Sequence, residues 1–244
     1  MMREDNLLAV QPRWFIVTTH SDHRLEVYLN LARRMTLTGI DQLWVADITY
    51  IRLKAEFVYL AVILDSFSRK VVGWALDRTL ASRLAITALE QAIAERQPPS
   101  GVVHHSDRGT QYACEEYVAI LERYQMVPSM SRPANPYDNA SCESFIKTLK
   151  REEIYANAYQ NLEHLRTNIE DFIGQYYNRQ RLHSALGYRP PDEFERQSEP
   201  GHVSGNLGAA TIRFFNHGED AAATRPGSLH GRILDSVRVE ASEP

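Results

Sequence analysis

The chain has 244 residues, 43% of them hydrophobic and 24% charged, enough for one medium domain with an ordinary core and some appendages. No apolar run approaches the roughly 18 residues of a membrane span, the acidic start "MMREDNLLAV" lacks the basic and apolar regions of a signal peptide, and two cysteines are too few for a disulfide framework or a four-ligand zinc site. The net charge of −4 disfavours a nucleic-acid partner at first sight, yet nine of the 31 acids and five of the 27 bases fall from Asp192 onward, which leaves a neutral body with 22 of each.

Residues 1–40 read as an N-terminal arm with little pattern, either native or the remnant of an upstream domain, in which "HRLEVYLNLARRM" has the length for about three helical turns; loose docking is expected. From Leu43 the text changes. "LWVADITYIRL", "EFVYLAVILDSFS" and "RKVVGWALDRTL" are β-rich runs with short polar separators, an antiparallel meander. "SRLAITALEQAIAERQ" has helical spacing and stops at Pro98-Pro99, then "GVVHHSD" is a fourth strand, "CEEYVAILERYQ" a second helix and "VPSMS" a brief fifth strand. The loop "RPANPYDNA" has the composition of a mobile lid, and helices follow over "SCESFIKTLKREEIY" and "NLEHLRTNIEDFIGQYYNRQR". Three hairpin strands followed by strands alternating with helices predict an α/β fold, a five-stranded mixed sheet with helices on both faces. The core spans 41–196 with its C-terminal helical extension, and 197–244, which holds six of the 12 glycines from residue 201 on, is expected to be largely disordered.

Three acids stand where acids are costly. Asp47 lies inside the first strand, where Val45, Thr49 and Ile51 share its face and Trp44, Ala46 and Ile48 take the other, so both faces are apolar. Asp107 ends the strand "GVVHHSD". Burial of a carboxylate without a partner costs several kcal/mol, so such a residue signals an ion pair, a hydrogen-bonded cap or a metal. Glu143 belongs to a helix whose core stripe is Cys142, Phe145, Ile146 and Leu149. With Asn139, Lys147 and Lys150 it forms a second stripe at roughly 110° from the first, facing solvent or a ligand. Singly, each acid has a plain structural explanation, as a turn cap, an arginine partner or a solvated helix residue; it is the joint spacing that points to a site.

The blocks "WVADITY", "HHSDRGTQY" and "NPYDNASCESFIKTLKREE" resemble the three acidic blocks of the retroviral-integrase-like catalytic core, with the nearest likeness to the OrfB transposases of IS-three type insertion sequences. The downstream "YNRQRLHSALGYRPPDEF" resembles the end of the same family, and the likeness spans about residues 40–196. It implies an RNase-H-like fold and a DDE-type polynucleotidyl transferase in which Asp47, Asp107 and Glu143 are catalytic and hold Mg²⁺ or Mn²⁺, two ions in the usual arrangement. Hard carboxylate oxygens suit Mg²⁺, and a metal pair relieves the mutual repulsion of three acids. Water attacks first, and the freed 3′-hydroxyl then attacks a target phosphodiester. An RNase-H-type nuclease and a non-catalytic DNA-binding regulator of a partner transposase are the alternatives.

The implied partners are DNA, both element ends and target, a homo-oligomer assembled on it, and a recognition protein from an upstream reading frame, since "HRLEVYLNLARRM" offers no second helix for a helix-turn-helix. No membrane is involved, and a cytoplasmic, nucleoid-associated bacterial location is expected. Lys147, Lys150 and Arg151, on or beside the Glu143 stripe, resemble backbone contacts, Asn139 steadies Glu143 or touches substrate, and Arg179, Arg181 and His183 are further phosphate-binding candidates. Asp65 reads as a turn or cap residue, His104 and His105 as satisfiers of a strand end, Cys114 and Cys142 as core, and "HSDH" at 20–23 as no zinc site.

Overall fold

In the computed structural model, which describes residues 25–54, 56–132 and 139–198, the meander forms first along the chain: β1 (Leu43–Arg52), β2 (Phe57–Asp65) and β3 (Val71–Asp77). β1 and β2 pair antiparallel from Trp44 opposite Asp65 to Arg52 opposite Phe57. The tight turn after β2 is set by Asp65, whose Oδ1 accepts the backbone N–H of Phe67 and Ser68 at 2.9 and 2.8 Å, which agrees with its reading as a turn residue.

Helix α1 (Ser82–Arg96) crosses to β4 (Val103–Ser106), which lies parallel to β1 with Val45 opposite His105. A short helix α2 (Thr110–Ala113) and α3 (Glu115–Arg123) lead to β5 (Val127–Met130), parallel to β4. The sheet order is β3-β2-β1-β4-β5, the mixed five-stranded sheet expected. α4 (Ala140–Leu149) continues through a π-helical turn at Lys150–Ile154, α5 (Leu162–Asp171) through another at Phe172–Tyr177, and α6 (Pro191–Ser198) closes the described chain.

Strand alternation divides the core into two layers. Val45, Val62 and Leu64 face Phe145 and Leu149 of α4 and Leu165 and Ile169 of α5. Trp44, Ala46 and Ile63 face Ala85, Ala88, Leu89 and Ala92 of α1 and Tyr117 and Leu121 of α3. Each fully buried aliphatic or aromatic side chain here contributes about 1.5–3 kcal/mol. The small residues let α1 lie close to β3: a Cβ on Gly73 would stand 2.3 Å from the carbonyl oxygen of Ala88, so this position has no room for a side chain.

The C-terminal elements are bound to the sheet through polar groups. Asn178 reads both backbone groups of Val71, its Oδ1 accepting the N–H at 3.1 Å and its Nδ2 donating to the carbonyl at 3.0 Å. Arg166 donates to the carbonyl of Leu76 at 2.8 Å.

The N-terminal arm departs from expectation in two ways. The part of "HRLEVYLNLARRM" that is described holds only a 3₁₀ turn at Ala32–Arg34, not a three-turn helix. The cause is visible in its apolar spacing, Leu25, Val27, Leu29 and Leu31, which has the period of an extended chain. Loose docking is also overturned near residue 37: Ala32 and Leu37 are buried in the α4 layer, and Leu31 N–H donates to Ser129 Oγ at 2.9 Å. The helix α2, only four residues long, has no counterpart among the expected elements. The expected lid over 133–138, "HSDH" at 20–23 and the tail beyond Ser198 lie outside the described residues. No helix among the described residues is long and apolar enough to cross a membrane.

Candidate active site

Because β1 and β4 run parallel with Val45 beside His105, two further residues along each chain bring Asp47, inside β1, level with Asp107, just past the end of β4. Asp107 begins a turn, its Oδ1 accepting Gly109 N–H at 2.9 Å. Gly109 is the residue that permits this approach, since a Cβ there would stand 2.9 Å from that oxygen. His105 braces the strand beneath, with its ring nitrogens 2.8 and 3.0 Å from Ser129 Oγ and Ser131 Oγ, and His104 Nε2 lies 3.0 Å from Tyr117 Oη, so both histidines satisfy buried partners.

The first turn of α4 is fastened to the same place. Asn139 Nδ2 donates to the carbonyl of Ala46 at 2.9 Å, and Cys142 Sγ donates to that of Val45 at 3.3 Å. Glu143 therefore starts from a helix pinned to the two residues that precede Asp47. A residue that sequence reasoning passed over completes the fastening: Arg69, in the β2–β3 turn, donates through Nη1 to Ser141 Oγ at 2.7 Å. Its only sequence signal is a basic residue in a turn, and its φ of 63° is a property of the fold.

The electrostatics report the convergence of the acids. Burial, then Asp107 and Glu143, push the Asp47 carboxyl from its ordinary 3.8 to about 7, against the opposing pull of the Ile48 N–H and Lys150. Glu143 is more exposed and is also raised, by partial loss of water. Tyr112 is raised by burial and then by Asp107. Among the described residues, however, no three His, Cys, Asp or Glu side chains stand spaced to hold a metal ion, so the acids approach one another without closing into a finished ligand set.

The expected DNA contacts divide. Lys150 lies near Asp47, with its ammonium 4.9 Å from the centroid of the Tyr50 ring. Lys147 is exposed, and the Arg151 side chain is 74% exposed while meeting Glu152 at 3.1 Å. Arg179 is 60% exposed and lies 3.5 Å from Asp192. Arg181 instead makes a two-point pair with Glu152 at 3.0 and 3.1 Å. His183 packs edge-on against Tyr177, and burial with the neighbouring Arg181 lowers its pKa to about 4, which leaves it neutral near pH 7. Asn139 is 7% exposed and is spent on Ala46. Cys142 is buried as expected and Cys114 half-buried.

The chain matches the integrase core domain family over residues 38–136, and a second integrase core domain model over 124–191. It is 37% identical over 198 residues to the transposase InsF of insertion sequence IS3A from Escherichia coli (strain K12), covering 81% of this chain and 69% of that one. The chain belongs to the insertion-sequence transposases with an integrase core. It is likewise 38% identical to the IS600 31 kDa protein of Shigella sonnei, over 81% of this chain and 73% of that one, and 40% identical to the IS904 transposase of Lactococcus lactis, over 65% and 63%. Among solved structures, the transposase fold resembles the simian T-cell lymphotropic virus intasome at a TM-score of 0.56 and 18% identity, covering 78% of this chain and 65% of that one. It also resembles the HTLV-2 integrase catalytic core in complex with magnesium, at 0.50 and 17%, covering 64% and 97%. At these identities the structural likeness establishes the RNase-H-like fold of the transposase.

Proposed function

We propose that this transposase cleaves and joins DNA strands at Asp47, Asp107 and Glu143, and that these three carboxylates hold divalent metal. The observation that supports the proposal is the pinning of α4 to the carbonyls of Val45 and Ala46, the two residues before Asp47, together with the charges of Asp107 and Glu143 acting on the Asp47 carboxyl. The donor set is hard oxygen without thiolate or imidazole, and the Asp47 carboxyl, pushed up to about 7 by burial and then by its acidic neighbours, is a group that a cation would relieve, so the residues fit Mg²⁺ or Mn²⁺, in two ions. The chemistry supplied at such a centre when metal is bound is activation of the attacking oxygen and neutralisation of charge on the phosphodiester and leaving oxygen.

The remaining work belongs to the chain. Asp47 and Asp107, fixed on adjacent strands, set the position of the scissile phosphate, while Glu143 approaches from the helix side. Lys150, beside Asp47, balances the negative charge brought in by the backbone. Lys147, Arg151 and Arg179 provide exposed positive charge for flanking phosphates. Asn139, Arg181 and His183 act on the site through position: Asn139 holds β1 to α4, and Arg181 and His183 stiffen the helical extension.

A strand-transfer assay on labelled element ends tests the reading. Joined product supports it, cutting without joining would make the protein an RNase-H-type nuclease, and binding without either would make it a regulator. Replacing Lys147 and Lys150 together by Ala should weaken DNA binding across sequences and flatten the slope of log K against log salt by about one unit for each phosphate no longer neutralised; an unchanged slope would return both lysines to the solvated surface.

Recognition of the ends is assigned to a partner. No pair of helices in residues 25–42 forms a reading head, and the chain alone is expected to bind DNA with salt-sensitive, sequence-blind affinity. The partner from an upstream reading frame would supply specificity, within a homo-oligomer on DNA in the bacterial cytoplasm at the nucleoid. Competition between terminal-repeat and scrambled duplexes checks this, and a thousandfold preference shown by the isolated chain would refute it.

A further inference from the structure

A groove of about 590 Å³ lies between the arm residues 27–34 and the ends of β4 and β5, at the open edge of the sheet. Arg33, Arg34, Arg108 and Arg132 line it together with Tyr28 and Leu29, and none of its described lining residues is acidic. Glu26 stands at the rim, accepting the Tyr28 hydroxyl at 3.4 Å, so among the described residues four guanidinium groups outweigh the nearby acid and leave a local field for anions. Its wall is built and anchored. Leu31 N–H donates to Ser129 Oγ at 2.9 Å, Arg33 N–H to Asn30 Oδ1 at 3.1 Å, and Arg108 Nε to the carbonyl of Ser131 at 2.9 Å. Arg108 is also the residue after Asp107, so the groove opens beside the strand end that carries the proposed chemistry.

The lining is not uniformly basic. Tyr28 is half-buried, Leu29 is 81% exposed, and Val27 and Leu31 add aliphatic surface along the same segment. A duplex offers its phosphates outward and keeps its bases stacked, which calls for a basic surface alone. An unpaired strand offers phosphates and base faces together, which calls for cations interleaved with apolar and aromatic side chains. We propose that this groove binds an unpaired DNA strand, its phosphates on the four arginines and a base against Tyr28, and so leads the strand toward Asp107. The proposal rests on the reading of the acids as a strand-cleaving centre and adds the route by which one strand reaches it.

The test uses the full chain in EDTA, so that binding is measured without chemistry, and a fluorescent single strand of about 12 nucleotides beside a blunt duplex of the same length. Replacing Arg33 and Arg34 together by Ala should weaken single-strand binding roughly tenfold and lower the salt slope by about 1.4, from about 0.7 per neutralised phosphate. Tyr28→Ala should weaken it severalfold with the slope unchanged. A strand carrying 5-iodouridine should crosslink to Tyr28 in the unaltered protein, a readout that does not depend on a variant folding. Unchanged affinity and slope, an equal loss on the blunt duplex, or a loss confined to an acidic, leucine-containing peptide each overturns the proposal, the last in favour of a protein partner. Asp107→Asn keeps the two readings apart: with one negative charge fewer beside the groove it should bind the single strand at least as tightly as the unaltered protein, and if it still cuts DNA with metal added, the acidic centre is wrong while the groove stands.

Discussion

Replacing Asp47, Asp107 or Glu143 by the matching amide is expected to lower strand cleavage and joining by about three orders of magnitude or more, because on the proposed assignment each change deletes a metal-binding charge worth several kcal/mol of transition-state stabilisation with almost no change of volume. The fold should survive. For Asp47→Asn the structure gives a sharper expectation. Its folded pKa of about 7 lies above the ordinary 3.8, so the stability it contributes is complete below pH 4 and is lost as pH rises through 7. At pH 8 without divalent cation, the aspartate is a destabilising charge and the asparagine is not. The variant should therefore be more stable than the original chain under those conditions by about 2 kcal/mol, half of what three pKa units would give in full burial, since Asp47 is only partly shielded from water. A gain in stability with a loss of activity is the signature of a site residue; near-full activity in any one amide variant would remove that acid from the assignment. Asp65→Asn gives the opposite pattern, with chemistry retained and stability reduced, because Asp65 is fully buried and its carboxylate anchors the turn after β2.

What can be read in the sequence is whatever periodicity encodes. β1 and β4 stand out as apolar runs interrupted or ended by an acid, and the α4 stripe of Cys142, Phe145 and Leu149 packs as its spacing requires, each 1% exposed or less. The proposed site rests on those three elements jointly, since each acid alone has a plain structural explanation. Two kinds of feature are not legible. Residues 25–31 alternate with the period of a strand, yet the basic residues around them and the length of the run favour a helix, and the shorter period prevails. Pairings between distant charges have no local signal: nothing near Arg181 in the chain marks Glu152 as its partner, and nothing near Arg69 marks Ser141. The fate of a basic residue, phosphate contact or internal ion pair, is decided by tertiary neighbours and not by its own segment.

The same limit hides a largely buried electrostatic joint, and it yields the largest stability effect we expect. Arg96, at the end of α1, donates through Nε to Asp41 at 3.0 Å and through Nη1 to Glu195 at 2.8 Å, and Nη2 lies 3.9 Å from Asp65. Its side chain is 9% exposed and that of Asp65 not at all, so these charges are held largely away from water. Lys70 joins the group, 2.9 Å from Asp192 and 3.5 Å from Glu195. The joint thus ties α6 and the start of β1 to α1 and the β2–β3 turn, across 154 positions of sequence from Asp41 to Glu195. Arg96→Met keeps most of the side-chain volume and removes the cation, leaving three acids facing one another with little water. Such a loss costs about 3–5 kcal/mol, a large part of the stability of a domain this size. Asp65 already titrates near 6, raised by burial against the lowering hydrogen bonds of Ser68 and Asp41 and the charge of Arg96. Without Arg96 it rises further, and because a raised carboxyl contributes stability at low pH and loses it as pH climbs, the deficit of the variant should be larger at pH 8 than at pH 5. Urea unfolding at the two pH values measures both quantities. Adding Glu195→Gln to Arg96→Met should restore part of the loss by removing one of the stranded charges, even though it deletes a second partner from the joint. If Arg96→Met costs less than about 1 kcal/mol, or costs the same at both pH values, the joint is a solvated cluster and α6 is held by its other contacts, Phe194 on Phe67 and Asp192 N–H on the carbonyl of Asn178 among them.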